Sequence, residues 1–297
     1  MRPTFKFNND YVFKRPGQVV TTFLDDHQSV GFHNHDFYEM IVVTNGSGTH
    51  QIESLTFDIR KGDVIVIPPM IGHSYCGSEN FEIRNILIKK DFIANNEADS
   101  KYIPGYLQLM EIEPFLRQNS VQPMFLHLHS SQLAELQQDT KYFERDGQFD
   151  KAEFTVLHNH TAWKIIYSLA LALYEQINCK NEESSVKYKL QILDTLEYIH
   201  LNFSQKITVE ELAERVFLSR STFLRNFRAV CGCSPIQYLN TYRIKKAIEM
   251  LEFSTKSKTE IAHSCGFYDL SHMERNLSKA YERGTYRGQN QNHSYER

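Results

Sequence analysis

Features that mark membrane-bound, secreted and disulfide-stabilised proteins are scarce in this sequence. None of its hydrophobic runs approaches the roughly 18 apolar residues that a membrane span needs, and the opening residues lack the apolar core of a signal peptide. The five cysteines form no paired framework, which is usual in a reducing compartment. We therefore expect a cytoplasmic protein that has no membrane partner.

Signatures of catalysis and of zinc-stabilised folds are also missing. The chain shows no catalytic triad, phosphate-binding loop or paired acid and base. Cys231 and Cys233 are separated by one residue and have no second pair, so a structural zinc site is not expected there. These absences predict that the protein is not an enzyme and that it requires no cofactor.

A strong excess of one charge is absent as well, since the formal net charge is only −3. Residues 1–189 contain 18 Lys and Arg against 24 Asp and Glu, a charge of −6, whereas residues 190–297 contain 15 against 12, a charge of +3. The cationic excess in the second part is modest. Binding to nucleic acid at physiological salt would therefore need several contact regions acting together.

The stretch 208–228 predicts two helices joined by a tight turn. Thr208 and Glu211 form a capping box that starts the first helix, and Ser219 or Ser221 is placed to cap the second. Arginines and hydroxyls on the exposed side of a second helix are the groups that read DNA bases and phosphates. The alternative is an ordinary helical hairpin with a solvated basic face. The residues expected on that side are Arg220, Ser221, Thr222, Arg225 and Arg228.

The same pattern returns fifty positions later. Residues 221–227 correspond to residues 271–277, because serine, an inward apolar residue, arginine, asparagine and a second apolar residue keep their spacing. Between the copies, residues 235–251 begin with proline and keep a helical apolar rhythm. The sequence therefore predicts two helix-turn-helix units separated by a long helix, able to enter major grooves about 34 Å apart.

Residues 190–287 resemble the AraC/XylS family of transcription regulators. The matching positions are Leu212, Ala213, Ser219, Arg220, Ser221, Phe227, Tyr238, Leu239, Arg243, Ala247, Ile261, Ala262, Gly266 and Phe267. The resemblance implies that three residues of each unit face bases or the DNA backbone. These are Ser221, Thr222 and Arg225 in the first unit and Ser271, His272 and Arg275 in the second.

The second unit departs from the family pattern. Met273 and Leu277 stand where phenylalanines are usual, and residues 282–287 lack the proline of the closing family element. Glu274 also places a carboxylate on the second reading helix, where it would accept from a cytosine amino group or repel phosphate.

The first part of the chain predicts a small β-barrel or jelly roll. Short alternating strands separated by Gly, Asn and Pro fill residues 5 to about 95. Residues 31–46 and 62–73 resemble the two cupin motifs, and the run from Gly31 to Lys89 is most similar to regulators of chitobiose-type operons. That resemblance implies a carbohydrate effector.

Histidines and one glutamate of these motifs share a face. His33, His35 and Glu39 are separated by even numbers, so on a continuous strand they point into the barrel, where His73 completes the set. Such a set suits a divalent transition metal such as Zn, Ni, Fe or Mn. The alternative is that the same groups hydrogen-bond to a polar ligand or to one another.

Aromatic side chains near the motifs suit a sugar ring, whose C–H face is apolar while its hydroxyls are not. Any one of them could equally belong to the core, and an arginine on strand 81–88 would bind an anionic group or form an exposed pair. The candidates for effector binding are Phe37, Tyr38, Tyr75 and Arg84.

The middle of the chain predicts a helical dimerisation segment. The helix from Phe154 to Ile177 carries two apolar stripes, so it should be covered on two sides. The second stripe, which we expect to meet a second protomer, consists of Trp163, Tyr167, Ala170 and Tyr174.

We therefore predict a multidomain α+β protein. Its expected parts are a cupin jelly roll over 1–125, a helical dimerisation segment over 126–180, a linker over 181–189, an all-α double helix-turn-helix over 190–287 and a disordered tail over 288–297.

The predicted function is sequence-specific transcription regulation, as an activator of carbohydrate-utilisation genes that is controlled by a sugar-like effector in the barrel. The implied partners are double-stranded DNA, the effector, a second copy of the chain and, for an activator, RNA polymerase. Two alternatives remain open: a metal-dependent cupin enzyme fused to a DNA-binding module, and a regulator whose barrel only dimerises.

Overall fold

The computed structural model describes residues 5–14, 17–25, 29–78, 80–118, 126–144, 155–179 and 184–282. The chain divides into two compact units, residues 1–186 and residues 187–297. The predicted tail 288–297 and most of the closing element 282–287 lie outside the described residues. Within these ranges, no helix has the length and apolar character needed to cross a membrane.

Two five-stranded sheets form the first unit. One has the order β1-β3-β8-β5-β6 and the other the order β10-β7-β4-β9-β2. Neighbouring strands are antiparallel except β1 and β3, which are parallel. The strands are β1 Phe5–Phe7, β2 Val20–Asp25, β3 Ser29–His35, β4 Tyr38–Asn45, β5 Ser47–Ile52, β6 Leu55–Arg60, β7 Asp63–Ile67, β8 His73–Gly77, β9 Glu82–Ile88 and β10 Leu126–His127.

A shared apolar core lies between the two sheets, which confirms the predicted jelly-roll type of fold. Ile41, Ile65 and Ile83 of one sheet pack with Ile52 and Ile59 of the other, and all five are at most 2% exposed. Burying these side chains on both inner faces is the dominant favourable contribution to folding.

Helices surround this sandwich. They are α1 Asn9–Val12, α2 Lys90–Ala94, α3 Glu97–Ser100, a π-helix Gln108–Ile112, α4 Glu113–Gln118, α5 Ser130–Thr140, a 3₁₀ turn Lys141–Glu144 and α6 Thr155–Cys179. Arg117 of α4 ties this layer to the sheet, because its Nη2 donates to the Val66 carbonyl at 2.5 Å and to Glu113 Oε2 at 2.9 Å.

The stripe of α6 that we expected to meet a second protomer is mostly covered within the chain. Trp163 packs on Phe92, the Tyr167 hydroxyl lies 3.2 Å from Ser100 Oγ, and Ala170 is fully buried. A Cβ at Gly105 would lie 1.9 Å from the Ala170 carbonyl oxygen, so the chain before the π-helix approaches α6 at a glycine. The expectation was wrong for these residues, because a sequence pattern shows that a face is covered but not by what.

The predicted linker 181–189 also differs from the structure. Helix α7, Ser184–Asn202, already includes residues 184–189, and only residues 181–183 lie outside the described ranges. Lysine is a good helix former, so polar composition alone did not distinguish a polar helix start from a loop.

The second unit is helical. After α7 come α8 Val209–Arg215, α9 Arg220–Cys231, α10 Pro235–Phe253, α11 Lys258–Ser264 and α12 Leu270–Glu282. The predicted capping box is present, since the Glu211 amide donates to Thr208 Oγ1 at 3.2 Å. Ser219, rather than Ser221, caps α9 by accepting from the Thr222 amide at 3.3 Å.

The two halves of this unit repeat one packing scheme. In α9 the buried side chains are Phe223, Phe227 and Val230, and at the equivalent positions of α12 they are Met273, Leu277 and Ala280. Each reading helix follows a turn with one left-handed residue, Phe217 with φ 55° and Gly266 with φ 76°. The predicted duplication is therefore present in the fold. The long helix between the copies is α10, which has Pro235 in its first turn.

Candidate DNA-reading helices and barrel cluster

Helix α9 presents one side to its own unit and one to solvent. Phe223 and Phe227 are fully buried, whereas Ser221, Arg225 and Arg228 are exposed. The free side carries cationic and hydroxyl groups, which bind phosphates and base edges. Its exposed arginine and serine positions match the expectation from the sequence.

Two predicted contact residues of α9 have partners in the chain. Arg220 Nε lies 2.7 Å from Glu210 Oε1, and both side chains are about three-fifths exposed. The Ser219 hydroxyl donates to Thr222 Oγ1 at 3.0 Å, which ties the Thr222 hydroxyl to the helix cap. An exposed ion pair contributes little stability, so Arg220 can exchange Glu210 for a phosphate at small cost.

Helix α12 repeats this arrangement with different side chains. Ser271, Glu274 and Arg275 are exposed. His272 is half-buried, and its Nδ1 accepts from the Tyr268 amide at 3.4 Å while its own amide donates to Asp269 Oδ1 at 2.6 Å. His272 therefore stabilises the turn before the helix, which is a role that sequence reasoning did not assign to it.

Inside the first unit, four histidines and one glutamate come together. We call this set the barrel cluster: His33 and His35 from β3, Glu39 from β4, His50 from β5 and His73 from β8. Cross-strand pairing explains the meeting, because His33 lies opposite His73 in the ladder between β3 and β8. All five side chains are buried, with exposures from 0 to 6%.

The Glu39 carboxylate lies at the centre of the cluster. Its Oε2 is 3.1 Å from His35 Nε2 and 2.9 Å from His73 Nε2. The rings of His33 and His73 have centroids 4.2 Å apart. Burial alone would raise the pKa of Glu39, but the two imidazoles hold it well below 4.5. The carboxylate is therefore ionised at neutral pH.

Three backbone carbonyls orient three of the imidazoles. Nδ1 of His33 lies 2.8 Å from the Gly31 oxygen, that of His35 is 2.7 Å from the Phe37 oxygen, and that of His73 is 3.3 Å from the Ile71 oxygen. Each Nδ1 must therefore carry the proton and donate it. In a neutral ring with its proton on Nδ1, Nε2 is the nitrogen that accepts a hydrogen bond or binds a metal. In His35 and His73 this atom faces Glu39 Oε2.

A metal ion would find a compact donor set here. Ligand atoms of His33, Glu39 and His73 all lie within 4.8 Å of one another. Two imidazole nitrogens and a carboxylate oxygen suit a divalent transition metal. The residues therefore fit such an ion, and they equally suit the hydroxyl groups of a polar ligand.

Similarity to known proteins follows the same two-unit division. Residues 16–153 match the family model described as an AraC-like ligand binding domain, and residues 212–283 match the one described as a helix-turn-helix domain. The chain belongs to the AraC/XylS family of transcription regulators. It is a regulator with a cupin-type first unit and a DNA-binding second unit.

Among relatives of this regulator, the HTH-type transcriptional activators RhaS of Salmonella arizonae and Citrobacter koseri are 28% and 25% identical over 81% of both chains. The crystal structure of the DNA-binding domain of AdpA, described as a global transcriptional factor in complex with a target DNA, is 30% identical. The match covers 34% of this chain and 97% of that chain, with a TM-score of 0.29.

The four predicted effector residues of the regulator lie in different surroundings. The Phe37 ring stacks on His35 at 4.4 Å, next to the barrel cluster. The Tyr75 hydroxyl donates to Asp25 Oδ2 at 2.6 Å, and its ring belongs to the core between the sheets. Tyr38 is half-buried and alternates with Glu39, so it points to the other face of β4.

Arg84 also lies on the wrong face for the predicted role. Its neighbour Ile83 belongs to the core between the sheets, so Arg84 points to the outer face of β9. The alternation of side chains along β9 predicts an outward-facing Arg84 once Ile83 is known to face the core. Of the two predicted roles, an anion contact and an exposed pair, the exposed pair is wrong, because Arg84 is only 6% exposed.

His50 is the cluster member that sequence reasoning missed. It is fully buried, and within the described part of the chain neither ring nitrogen has a hydrogen-bond partner. Burial lowers the pKa of His50 well below 6.5. The only sequence signal was its alternation with Ile52 on a strand that carries neither cupin motif.

Replacing His50 with Leu should make the stability of the regulator less dependent on pH. Burial holds the pKa of His50 well below 6.5 and that of His33 at about 4, so below pH 6.5 the unfolded chain takes up protons that the folded chain does not. The contribution of these groups to the free energy of unfolding is therefore complete above about pH 6.5. It decreases as the pH is lowered further, by up to about 1.4 kcal/mol per pH unit for each group.

Thermal unfolding of the full chain between about pH 7 and about pH 5 measures this dependence. The exposed-histidine variant His263→Leu serves as the control and should keep the wild-type slope. Equal slopes for wild type and His50→Leu would contradict a neutral, buried His50.

Proposed function

We propose that this regulator activates carbohydrate-utilisation genes, acts in the cytoplasm and responds to a small polar effector held by the barrel cluster. Two features of the chain support the proposal. The second unit has two helices with exposed arginines, and the first unit has buried polar atoms without hydrogen-bond partners among the described residues. An activator of this kind would contact RNA polymerase as well as DNA, and no catalytic turnover is needed for it.

The DNA-reading part of the proposal depends on the repeated arginine. Arg225 in α9 and Arg275 in α12 occupy equivalent positions, and both are exposed. An arginine at such a position can donate two hydrogen bonds to a guanine. Two reading helices in one chain compensate for a charge of only +3 over residues 190–297.

The effector part depends on buried polar atoms that need partners. Both nitrogens of His50 and the Oδ1 of Asn85 have no hydrogen-bond partner among the described residues. Asn85 pairs with Ile41 in the ladder between β4 and β9, so its side chain lies on the inner face of the sheet. Glu39 lies on the same face of β4, two residues before Ile41. Leaving such atoms unpaired costs about 1–3 kcal/mol each, and a ligand hydroxyl would recover that energy.

A divalent metal is the second candidate for the cluster. The backbone carbonyls that bind Nδ1 of His33 and His73 would orient these rings as metal ligands are usually oriented, and Glu39 would supply the anionic oxygen. In that case His33, Glu39 and His73 would hold the ion. The metal would supply a fixed positive charge for binding effector oxygens.

We further propose that the regulator forms a homodimer through α6. Leu171 and Tyr174 are each 44% exposed and lie three positions apart on one side of this helix. Tyr174 is the member of the predicted stripe that stays exposed, and Leu171, which was not part of that stripe, lies beside it.

Arg225→Ala should weaken binding to the operator by about 1–3 kcal/mol and relax base preference at one position, if the guanidinium contacts a guanine. Fluorescence anisotropy on the operator and on single-base variants measures both effects. Arg215→Ala is the matched control, because this arginine pairs with Asp194 at 3.2 Å and lies on α8. An equal loss on every DNA sequence would make Arg225 a phosphate contact.

A ligand of the barrel cluster should raise the melting temperature of the full chain, and Glu39→Gln should remove the effect. A ligand at 100 times its Kd stabilises the folded state by about 2.7 kcal/mol. Neutral saccharides and the ions Zn²⁺, Ni²⁺ and Mn²⁺ are tested with and without chelator. Glu135→Gln, at an exposed position of α5, is the control.

The outcomes separate the candidates. Stabilisation that a chelator abolishes indicates a metal, and stabilisation by saccharide in the presence of chelator indicates a direct polar ligand. If neither probe stabilises the wild type, the barrel only supports dimerisation.

Tyr174→Glu should convert a dimer into a monomer, because a carboxylate cannot be buried in an apolar interface without a partner. Light scattering of the purified full chain measures the mass. Tyr102→Glu is the control, since Tyr102 is 71% exposed elsewhere on the same unit. Unchanged mass for Tyr174→Glu would refute this interface.

A further inference from the structure

A second candidate site lies outside the barrel. A cleft of about 490 Å³ separates α2 from the first turns of α6, and all its lining residues belong to the first unit. This volume falls within the range of roughly 300–1,000 Å³ that is typical of small-molecule sites. We call it the α2–α6 cleft.

One face of α6 lines this cleft. Val156, Asn159, His160 and Trp163 follow the helical spacing of three and four residues, so their side chains lie on one side of the helix. The opposite wall comes from α2 and the residues after it, including Asp91 and Phe92.

One polar atom on the α6 wall has no hydrogen-bond partner among the described residues. Asn159 Oδ1 is buried, and among the described residues it accepts no hydrogen bond. By contrast, Asn96 on the opposite wall is bonded to the Phe92 carbonyl at 3.0 Å. The α6 wall thus holds an unused acceptor at Asn159, and the Trp163 indole lies one helical turn later on the same wall.

The Trp163 ring of the cleft packs against two other aromatic rings. The Trp163 ring lies between contacts with Phe92, at a centroid distance of 5.0 Å, and Tyr167, at 5.1 Å. Such packing holds the indole in place before any ligand arrives, which lowers the entropic cost of binding.

The charges of the cleft indicate a neutral ligand. Lys89 and Asp91 each contribute one charge of opposite sign. A ligand with hydroxyl groups can donate to Asn159 Oδ1, accept from the Trp163 N–H and place its C–H groups against the aromatic rings.

We propose that the α2–α6 cleft binds a neutral mono- or disaccharide, at a site separate from the barrel cluster. Asn159 and Trp163 hydrogen-bond its hydroxyls, and the side chains of Val156 and Phe92 contact its apolar face. This site does not depend on whether the barrel cluster itself holds an effector.

Trp163 provides the measurement, because it is the only tryptophan of the chain. The full-length protein is titrated with glucose, N-acetylglucosamine and cellobiose while tryptophan emission is recorded. We expect a saturable change for at least one of these sugars. Asn159→Leu should weaken that binding at least about tenfold, since the ligand hydroxyl loses its acceptor.

Controls separate this site from the barrel. Asn178→Leu changes the same residue type on the same helix outside the cleft, and it should leave the sugar affinity unchanged. Glu39→Gln should also leave it unchanged. Asn159→Leu should fold normally, because Oδ1 forms no hydrogen bond within the described residues, and its melting temperature checks this.

Three results would overturn the inference. They are no emission change with any of the sugars, a change that Glu39→Gln abolishes while Asn159→Leu preserves it, and binding of glucose 6-phosphate in the absence of any neutral sugar binding.

Discussion

The buried carboxylate of Glu39 imposes the strongest constraint on the first unit. A charge at this depth is costly unless it is paired, and the Nε2 atoms of His35 and His73 lie 3.1 Å and 2.9 Å away. Their Nδ1 atoms in turn donate to backbone carbonyls, so β3, β4 and β8 are joined by one chain of polar contacts. The apolar core between the sheets lies beside this cluster, and its close packing holds the strands in register.

The second unit depends on a different principle. Its stability comes from helices that each bury one stripe, and the same stripe is used twice, with phenylalanines in α9 and with Met273 and Leu277 in α12. Because buried volume is smaller in the second copy, the two reading helices are not equivalent in packing. The solvent-facing side differs too, since the position of the half-buried Leu224 in α9 is occupied by the exposed Glu274 in α12. The two copies therefore differ in both their buried and their exposed side chains.

Much of the fold follows from local patterns. Capping at Thr208 and the proline at the start of α10 mark helix boundaries directly, because they satisfy backbone groups within a few residues. His33, His35, Glu39 and His73 do come together, but the predicted continuous strand was wrong. β3 ends at His35 and Glu39 lies on β4 of the other sheet, so the residues meet across the space between the sheets. His50 and Arg84 did not follow as simply, because their placement depends on how β5 and β9 align with strands far away in sequence.

The residues that cover α6 were beyond sequence reasoning for a related reason. Its two apolar stripes indicate two covered faces, yet Trp163 and Ala170 contact residues about 65 to 70 positions earlier in the chain. The sequence by itself determined the duplicated helical units, since these depend on residue spacing within single elements, and its resemblance to known motifs supplied the family and four of the five members of the barrel cluster. Tertiary structure alone decided that His50 joins the cluster, that Arg84 faces outward and that a cleft opens beside Trp163. Those features depend on strand register and on packing between distant segments, which no local pattern encodes.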